Sequence, residues 1–519
     1  MASKADNTNR NVIPNWRDFS STCKTGELQG CSARSLILPY FPVDDYVLAW
    51  RENNNLAFAG DLLSAAIMNG QKDNKDALDA ARFVVERDDI CPSSLLSVAK
   101  SVLENSNGCV KIPKASEITQ KLKYLLTDEN QNKEKIKFLR NLINRYPYNP
   151  VWYAEIARCF VNLGFSKKAE KYMDIAIHLA PESRYISRAA SRLFLHNDDP
   201  DKAHYVITHN PSIIADPWLI ASEIAINASR GRSSRFIKQG VAMINSSKYS
   251  PFSITELASA IGTKELESSR KKGSGFIEKS LIAPNDNSLA QADWLVGNDS
   301  SLSFDFSRIR KGTDNFESDA RFCFLKQDYN MALNHSIDWI KSAPFAKLPI
   351  FFAAEMAYTY QARYADAVNI LKIGLKANPN ELRFQNNLAY AYALNNQTEE
   401  CDETLKKLLA VTPNDTDVYV CAVATSGLNE FRKKNINEGR SKYKEAINIA
   451  QSIGMPINQA KSLVHKAYLN YVREEVIANT PEASKLMESL DELSTGDKRE
   501  TDALKNSIRK IWAATHMRT

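Results

Sequence analysis

Residues 148–181 read YNPVWYAEIARCFVNLGFSKKAEKYMDIAIHLAP, and this stretch decides the fold. Its first half has apolar residues at the spacing of one helix face, at Tyr153, Ile156, Ala157 and Phe160. The same periodicity returns in the second half, at Ala169, Met173 and Ala176. Gly164 lies where the first helix has to turn back, and Pro181 ends the second. The stretch therefore predicts a helical hairpin, in which small alanines let the two helices approach closely.

Prolines recur along the chain at the period of this hairpin. Pro147 and Pro181 are 34 residues apart, Pro344 and Pro379 are 35 apart, and Pro379 and Pro413 are again 34 apart. Each lies between amphipathic helical runs. A fixed period of this length is typical of repeat proteins, in which each unit buries its apolar face against its neighbours. The chain is therefore predicted to be a stacked array of helical hairpins.

The hairpin at 148–181 resembles the tetratricopeptide repeat, which carries large, small, aromatic and glycine residues in a set order before a proline. The resemblance is clear over 148–215 and 314–452. Two further units carry the same pattern, at Phe351, Ala354, Tyr358, Ala362, Ala367, Leu371, Gly374 and Pro379, and at Leu388, Ala389, Tyr392, Cys401, Leu405, Leu408 and Pro413. Glu355 departs from it, because it stands where Gly or Ala is usual. The resemblance implies an all-α fold of helical-hairpin repeats, a TPR-like α-solenoid wound as a right-handed superhelix.

These patterns predict five regions. A polar arm over residues 1–43 is expected to be loosely ordered. An N-terminal helical array follows over 44–284, a C-terminal array covers 316–455, and closing helices are expected over 456–519. Between the arrays, 285–315 is rich in turn-forming residues. It is predicted to be either an inserted loop or a seam between two superhelical halves.

Composition limits the class of protein. With 44% hydrophobic and 25% charged residues, the chain is typical of a folded soluble protein rather than a disordered or fibrous one. Its net charge of +6 permits nucleic acid as a partner without arguing for it. No run of 18 apolar residues occurs, so we expect no membrane-spanning helix and no membrane partner. The 8 cysteines form no Cys-x-x-Cys pair, which favours reduced thiols and a cytoplasmic location.

Motifs of catalysis and cofactor binding are absent from the sequence. It has no Walker phosphate loop, no nucleophile elbow, no His-Glu-x-x-His zinc motif and no Gly-rich dinucleotide motif. Four histidines cluster between residues 178 and 209, but none forms an i, i+4 pair, so no metal site is predicted. We therefore predict a protein that is not an enzyme and needs no cofactor. The competing possibility, an unrecognised catalytic site, would have to lie in 1–120 or 285–315.

Candidate binding residues fall on the first helices of two successive repeats. Arg184, Arg188 and Arg192 are spaced four residues apart on one predicted helix, and Arg158 lies on the first helix of the preceding repeat. In the family that the chain resembles, first helices line the concave groove that contacts a partner. Guanidinium groups there would bind carboxylates or phosphates through paired hydrogen bonds. The alternative is that these arginines form a solvated helix face.

A second candidate group lies on the corresponding side of the C-terminal array, at Arg383, Asn386, Asn387 and Tyr390. In some members of the resembled family, asparagines at such positions hold the backbone or carboxylate groups of a partner. The lysines of the family's clamp for a carboxyl terminus are missing here, which argues against binding of chaperone tails. The alternative for Asn387 is a bond between neighbouring helices.

The leading hypothesis is a non-catalytic scaffold or adaptor that binds a segment of another protein in a superhelical groove. We expect that protein to be a subunit of the same complex. The alternative is an accessory subunit of a nucleic-acid-acting complex that contacts nucleic acid through a basic groove. Nucleic-acid binding would depend steeply on salt, which separates the two hypotheses.

Overall fold

The structure is a computed structural model that describes residues 10–17, 43–68, 71, 74–89, 91, 93–104, 122, 129–299, 301–304 and 315–516. Regular secondary structure in these residues is helical, and no strand occurs among them. Contacts divide the chain into two compact units. We call Thr8–Pro113 with Asp128–Ala343 the N-terminal unit, and the unit that includes Pro344–Thr519 the C-terminal unit. The predicted all-α fold of helical hairpins is confirmed.

The N-terminal unit contains sixteen described helices that mostly pair as antiparallel neighbours. They are α1 (Val43–Glu52), α2 (Leu56–Met68), α3 (Lys75–Val85), α4 (Ser93–Glu104), α5 (Glu129–Arg145), α6 (Pro150–Asn162), α7 (Ser166–Leu179), α8 (Arg184–His196), α9 (Pro200–Thr208), α10 (Pro217–Ser229), α11 (Ile237–Ile244), α12 (Thr255–Leu266), α13 (Arg270–Ser280), α14 (Asp286–Asn298), α15 (Phe316–Leu325) and α16 (Tyr329–Ser342).

The C-terminal unit contains three repeat hairpins followed by closing helices. They are α17 (Lys347–Glu355), α18 (Tyr364–Ala377), α19 (Leu382–Leu394), α20 (Thr398–Val411), α21 (Asp417–Arg432), α22 (Ile436–Ser452), α23 (Ile457–Ile477), α24 (Pro481–Glu488) and α25 (Lys498–His516). A π-helical turn, Met356–Tyr360, extends α17. It directly follows Glu355, where the sequence departs from the repeat pattern.

Helix starts follow local capping chemistry. The Asn149 side chain accepts a hydrogen bond from the Val151 amide, with Pro150 in the first turn. The Thr416 side chain caps α21 in the same way, by accepting from the Tyr419 amide. These caps depend only on residues within one helical turn of the helix start.

In seven of the described hairpins, one residue of the turn has a left-handed backbone. These residues are Gly164, Asp198, Gly231, Gln327, Ala362, Asn396 and Lys434. Most are not glycine, although this conformation costs other residues about 1–2 kcal/mol. The packing of the paired helices therefore imposes the turn, and the turn recurs at the period of the prolines.

Side chains predicted to fill the hairpins are buried. Phe160 is 6% exposed, Met173 is fully buried, and Ala157, Ala169 and Ala176 leave room for the close approach of α6 and α7. Cys401 stands at a small-residue position of the repeat pattern, and it has no exposed surface. The apolar periodicity thus identified the core of each hairpin correctly.

The prediction of a loop or seam at 285–315 is wrong for residues 286–298, which form α14. The Asn285 side chain accepts from the Ser288 amide, and the Ser288 side chain accepts from the Asn285 amide, so the apparent turn chemistry is a helix cap. α14 packs against α12 and α15, as the first helix of a further repeat would. Residues 305–314 lie outside the described chain. The compact units divide at Ala343, not within 285–315.

The prediction of a loosely ordered arm over 1–43 is wrong for residues 10–17. Val12 is 1% exposed and Trp16 is 2% exposed, so this part of the arm is packed into the N-terminal unit. Most of the remaining arm lies outside the described residues. We call Arg10–Arg17 the N-terminal segment.

Candidate functional site

First helices of successive repeats lie side by side in the N-terminal unit. α6 contacts α8, α8 contacts α10, α10 contacts α12, and α12 contacts α14. Polar side chains on these helices are buried, among them Glu155, Arg158, Ser222, Glu223, Glu256, Asn287 and Gln291. A buried charge is costly unless it is paired and hydrogen-bonded. We call the surface that these helices and α15 present to the N-terminal segment the groove site.

Three of the predicted groove arginines, Arg158, Arg184 and Arg188, are paired with carboxylates of the same unit. Arg158 is 3% exposed and lies 3.4 Å from Glu155, which also accepts a hydrogen bond from Lys135 at 3.0 Å. Arg184 Nε lies 2.5 Å from Asp216 Oδ2. Asp216 is fully buried at the start of α10, so this pair joins α8 to the next repeat.

Arg188 connects three first helices. Its guanidinium donates to Glu256 at 2.7 Å, to the Ser222 hydroxyl at 2.9 Å and to the Trp218 carbonyl at 3.0 Å. The same group lies 5.2 Å from the centre of the Trp218 ring. Arg188 therefore links α8 to α10 and α12 by hydrogen bonds, which an arginine on a solvated surface would not do.

Arg192 is half-buried, and this burial lowers its pKa to about 10 although the nearby negative charge of Glu317 acts to raise it. The predicted stripe of arginines is therefore not a row of solvent-facing cations. Its carboxylate partners come from later helices, such as Asp216 and Glu256, which sequence spacing on α8 could not reveal. A role of Arg158, Arg184, Arg188 and Arg192 in partner binding stays a prediction.

The N-terminal segment occupies the groove site without forming a helix. Its buried residues alternate along the chain, at Arg10, Val12, Pro14 and Trp16, whereas Asn15 is exposed. The segment thus offers every second side chain to the helices. It is the part of the site that sequence analysis missed. The signal was present as the apolar residues Val12, Ile13, Pro14 and Trp16 inside an otherwise polar stretch of the arm.

Arg10 makes the most extensive contacts of the segment. Its Nε and Nη2 atoms donate to the two carboxylate oxygens of Glu317, each at 2.9 Å. Nη1 donates to Gln291 Oε1 at 2.7 Å, and Nη2 also donates to Asn287 Oδ1 at 2.9 Å. Because all four residues are buried, these bonds are shielded from water.

Two side-chain amides of α14 hold the main chain of the segment. Asn287 Nδ2 donates to the carbonyl of Ile13 at 2.9 Å, and Gln291 Nε2 donates to the carbonyl of Arg10 at 3.0 Å. Main-chain carbonyls are common to all peptides. This half of the site therefore recognises a peptide backbone, whatever its sequence.

The far end of the segment is held by aromatic and charged groups. Trp16 lies beside the hydroxyl of Tyr185, which donates to Glu155 at 3.3 Å. Arg17 forms an ion pair with Asp286, and its guanidinium lies 5.1 Å from the centre of the Phe316 ring. A cavity of about 80 Å³ borders the other end, beside Asn11 and Val12.

The carboxylates under the segment have pKa values shifted in opposite directions. Burial alone would raise the pKa of Glu317, but the charges of Arg10 and Arg321 lower it to about 2. Burial raises the pKa of Asp286 to about 6, although Arg17 opposes this shift. Glu317 is thus held ionised by its arginines, and Asp286 depends on Arg17 for its charge.

In the C-terminal unit the predicted groove residues are covered by the unit's own helices. Asn386 and Asn387 are buried, at 0% and 1% exposure. The Tyr390 hydroxyl donates to Asn470 of α23 at 2.8 Å, and Arg473 of α23 donates to the same hydroxyl at 3.2 Å. These residues therefore do not form an open surface, because the two asparagines are buried and α23 contacts Tyr390. Their role in partner binding stays a prediction.

Arg383, the fourth residue of that group, is partly exposed and pairs with Asp417 at 3.3 Å. Other chemistry is sparse in the described residues. Burial raises the pKa of Cys401 to about 12 and of Cys421 to about 11, which opposes formation of a reactive thiolate. Within the described ranges, no three His, Cys, Asp or Glu side chains converge as metal ligands. No described helix is both long and apolar enough to cross a membrane.

Comparison with known proteins supports the repeat assignment. Residues 359–420 match the model of a tetratricopeptide repeat family. No curated protein sequence shows significant similarity to the chain. The matched residues include α18, α19 and α20, the part of the C-terminal unit with the clearest repeat pattern.

Solved structures of similar helical architecture have low sequence identity to the chain. Yeast Tom70 is 14% identical, with 77% of this chain and 97% of that chain covered and a TM-score of 0.31. A human IFIT1 dimer with PPP-AAAA is 15% identical, with 91% and 94% covered and a TM-score of 0.27. Naa15/Naa10 bound to HypK-THB is 11% identical, with 89% and 79% covered and a TM-score of 0.21. Similarities at these scores support neither a function nor a partner.

The assignment therefore depends on the chain's own features. The family model matches 359–420, and the hairpins on either side repeat the same turn, burial pattern and period. The chain therefore contains tetratricopeptide repeats over residues 359–420.

Proposed function

We propose that the chain is a non-catalytic interaction scaffold whose groove site binds a peptide segment of a partner protein. One observation carries the proposal. Asn287 and Gln291 donate to the main-chain carbonyls of Ile13 and Arg10, so the groove site already holds a non-helical peptide by its backbone. A rigid array that presents such amides loses little conformational entropy when a peptide binds.

The charge balance of the site favours protein over nucleic acid. The groove arginines face Glu155, Asp216 and Glu256 at pairing distance, and these carboxylates would repel a phosphate backbone. Glu317 and Asp286 add further negative charge under the N-terminal segment. The groove site is thus suited to a cationic peptide. A cytoplasmic location and a shared complex remain part of the proposal.

The test uses the full chain, with a protease site inserted within residues 24–30 and cut after folding. The released N-terminal fragment is removed, and a fluorescein-labelled peptide with the sequence of residues 9–18 is titrated in by fluorescence anisotropy. We expect saturable binding. The double change Asn287→Ala and Gln291→Ala should weaken it at least about tenfold, or ~1.4 kcal/mol, since two backbone contacts are lost. Gln451→Ala is the matched control, because it removes an exposed amide on α22.

Labelled single-stranded and duplex oligonucleotides are titrated in the same experiment. The proposal predicts no saturable binding near physiological salt. Oligonucleotide binding with a steep salt slope, together with no peptide binding, would favour the nucleic-acid hypothesis instead.

A further inference from the structure

We propose that the groove site selects partner segments with an arginine followed, six and seven residues later, by tryptophan and arginine, and that Arg10–Arg17 is a resident competitor for them. The proposal rests on the proposed function and adds the chemistry of the partner. The charged and aromatic contacts of the segment are made by Arg10, Trp16 and Arg17, and these are the contacts from which we infer selectivity.

The first selective contact requires arginine rather than any cation. Arg10 uses two nitrogens against both oxygens of Glu317 and spreads its other donors over Gln291 and Asn287. A planar guanidinium matches this set of acceptors, whereas the compact ammonium of lysine cannot reach them all. The bonds are buried, so a mismatch leaves acceptors unpaired.

The second selective contact is charge at the other end of the segment. Asp286 is 5% exposed and pairs with Arg17. Without a cation at this position, Asp286 would either stay charged in a buried site beside the negative Glu317 or have to take up a proton. An occupant that lacks arginine here is therefore penalised by repulsion and by desolvation together.

The third selective contact is aromatic. Trp16 is 2% exposed and lies beside Tyr185, whose hydroxyl bonds to Glu155. A small side chain at this position would leave a void next to a polar group. By contrast, Asn15 is exposed between the two anchors, so its identity is free to vary.

The resident segment is suited to being displaced. Its eight residues contain no helix or strand, and its main-chain bonds to the helices come from the side chains of Asn287 and Gln291. It can leave without breaking a helix. Because it is linked to the chain, it competes at high effective concentration with a partner that carries the same chemistry.

The test again titrates labelled peptides of residues 9–18 into the cut chain, now with single changes. We expect Arg10→Gln and Trp16→Ala peptides to bind at least tenfold more weakly than the parent peptide, whereas Asn15→Ala binds equally. Against a Glu317→Gln chain, the difference between parent and Arg10→Gln peptides should shrink to less than threefold, because the partner of the charge is gone. The uncut chain should bind the parent peptide at least tenfold more weakly than the cut chain.

Three results would overturn the proposal, and they differ in what they say of the proposed function. Equal binding of all peptides would end the selectivity and leave the scaffold function standing. Equal affinity of cut and uncut chains would show that the segment is not a competitor. A full chain that sediments as a dimer, and becomes monomeric with Trp16→Ala, would make a second copy the occupant. Failure of every peptide to bind would instead refute the proposed function itself.

Discussion

In the N-terminal unit the polar face of the first helices is covered by Arg10–Arg17, whereas in the C-terminal unit the corresponding face at Tyr390 is covered by α23. The first cover is a short non-helical segment held by ion pairs and side-chain amides. The second is a 21-residue helix that is itself part of an apolar cluster. That cluster contains Leu469, Val472, Val476, Ala483, Leu490, Leu504 and Ile508.

The difference separates a removable cover from a permanent one. Losing Arg10–Arg17 exposes polar groups that water or another peptide can satisfy. Losing α23 would expose the apolar side chains of its cluster. The free-energy cost is about 25 cal/mol for each Å² of apolar surface exposed to water. Peptide exchange is therefore expected in the N-terminal unit, and the C-terminal cover is expected to stay closed.

The largest effect is expected where a groove arginine holds helices together. Arg188→Glu places a second carboxylate against Glu256, which is 2% exposed. We expect the free energy of unfolding of the N-terminal unit to fall by about 3–5 kcal/mol, the usual cost of breaking a buried pair. Hydrogen exchange of the α8 amides measures it. A loss below about 0.5 kcal/mol would show that Arg188 is a solvated surface residue after all.

Leu469→Ala tests the permanent cover. Leu469 has no exposed surface, so its truncation leaves a cavity between α23 and its neighbours. We expect the free energy of unfolding of the C-terminal unit to fall by about 2–5 kcal/mol. Urea unfolding, followed by hydrogen exchange of the α23 amides, measures it. Protection of residues 10–17 should not change. If those residues lose protection as well, the two covers are not independent.

Trp16→Ala tests the removable cover. Truncation of a fully buried tryptophan would ordinarily cost more stability than this change should. The segment can leave before any helix unfolds, and this limits the loss in the free energy of unfolding. We expect a fall of about 1–3 kcal/mol in the stability of the N-terminal unit, with proteolytic cutting concentrated near the segment. Asn15→Ala is the control and should resist the protease like the parent chain. Global unfolding of the N-terminal unit by Trp16→Ala would mean that the segment is part of the core.

Acid should loosen the N-terminal segment in a defined window. The pKa of Glu317 is lowered from 4.5 to about 2, so its contribution to stability is complete above pH 4.5 and is lost as the pH falls towards 2. Asp286 has the opposite effect on stability. Because its folded pKa is raised from 3.8 to about 6, its protonation stabilises the folded unit as the pH falls from 6 to 3.8. We therefore expect the N-terminal segment to be released below pH 4.5. The release is measured as the difference in tryptophan fluorescence between the parent chain and the Trp16→Phe chain. In a Glu317→Gln chain, release should no longer depend on pH between 3.8 and 2, below the window in which Asp286 titrates.

The smallest effect is expected at Arg383. Its side chain is 27% exposed, and that of Asp417 is 22% exposed, so water screens the pair. Arg383→Ala should change the stability of the C-terminal unit by about 0–1 kcal/mol, measured by urea unfolding. Weaker binding of a partner protein without loss of stability would restore Arg383 as a contact residue and would show that part of this surface is accessible.

What the sequence determined by itself is local. The turn at Gly164 and the buried face at Phe160 depend on residues within one or two helical turns, and both were located correctly. Repetition then made a chance match improbable, since the same pattern returned at a fixed period. The one local error was α14, where Asn285 and Ser288 form a helix cap from residues that also favour turns.

What the tertiary structure decided is which polar groups meet. Arg10 lies 307 residues from Glu317 along the chain, and Arg188 lies 68 residues from Glu256. No periodicity relates such pairs, because superhelical stacking brings them together and not the geometry of one helix. The sequence therefore placed arginines on the groove side but could not show that they were neutralised. Nor could it show that an arm rich in asparagine supplies the peptide that fills the groove, since the side chains that bind it are assembled only when the repeats have stacked.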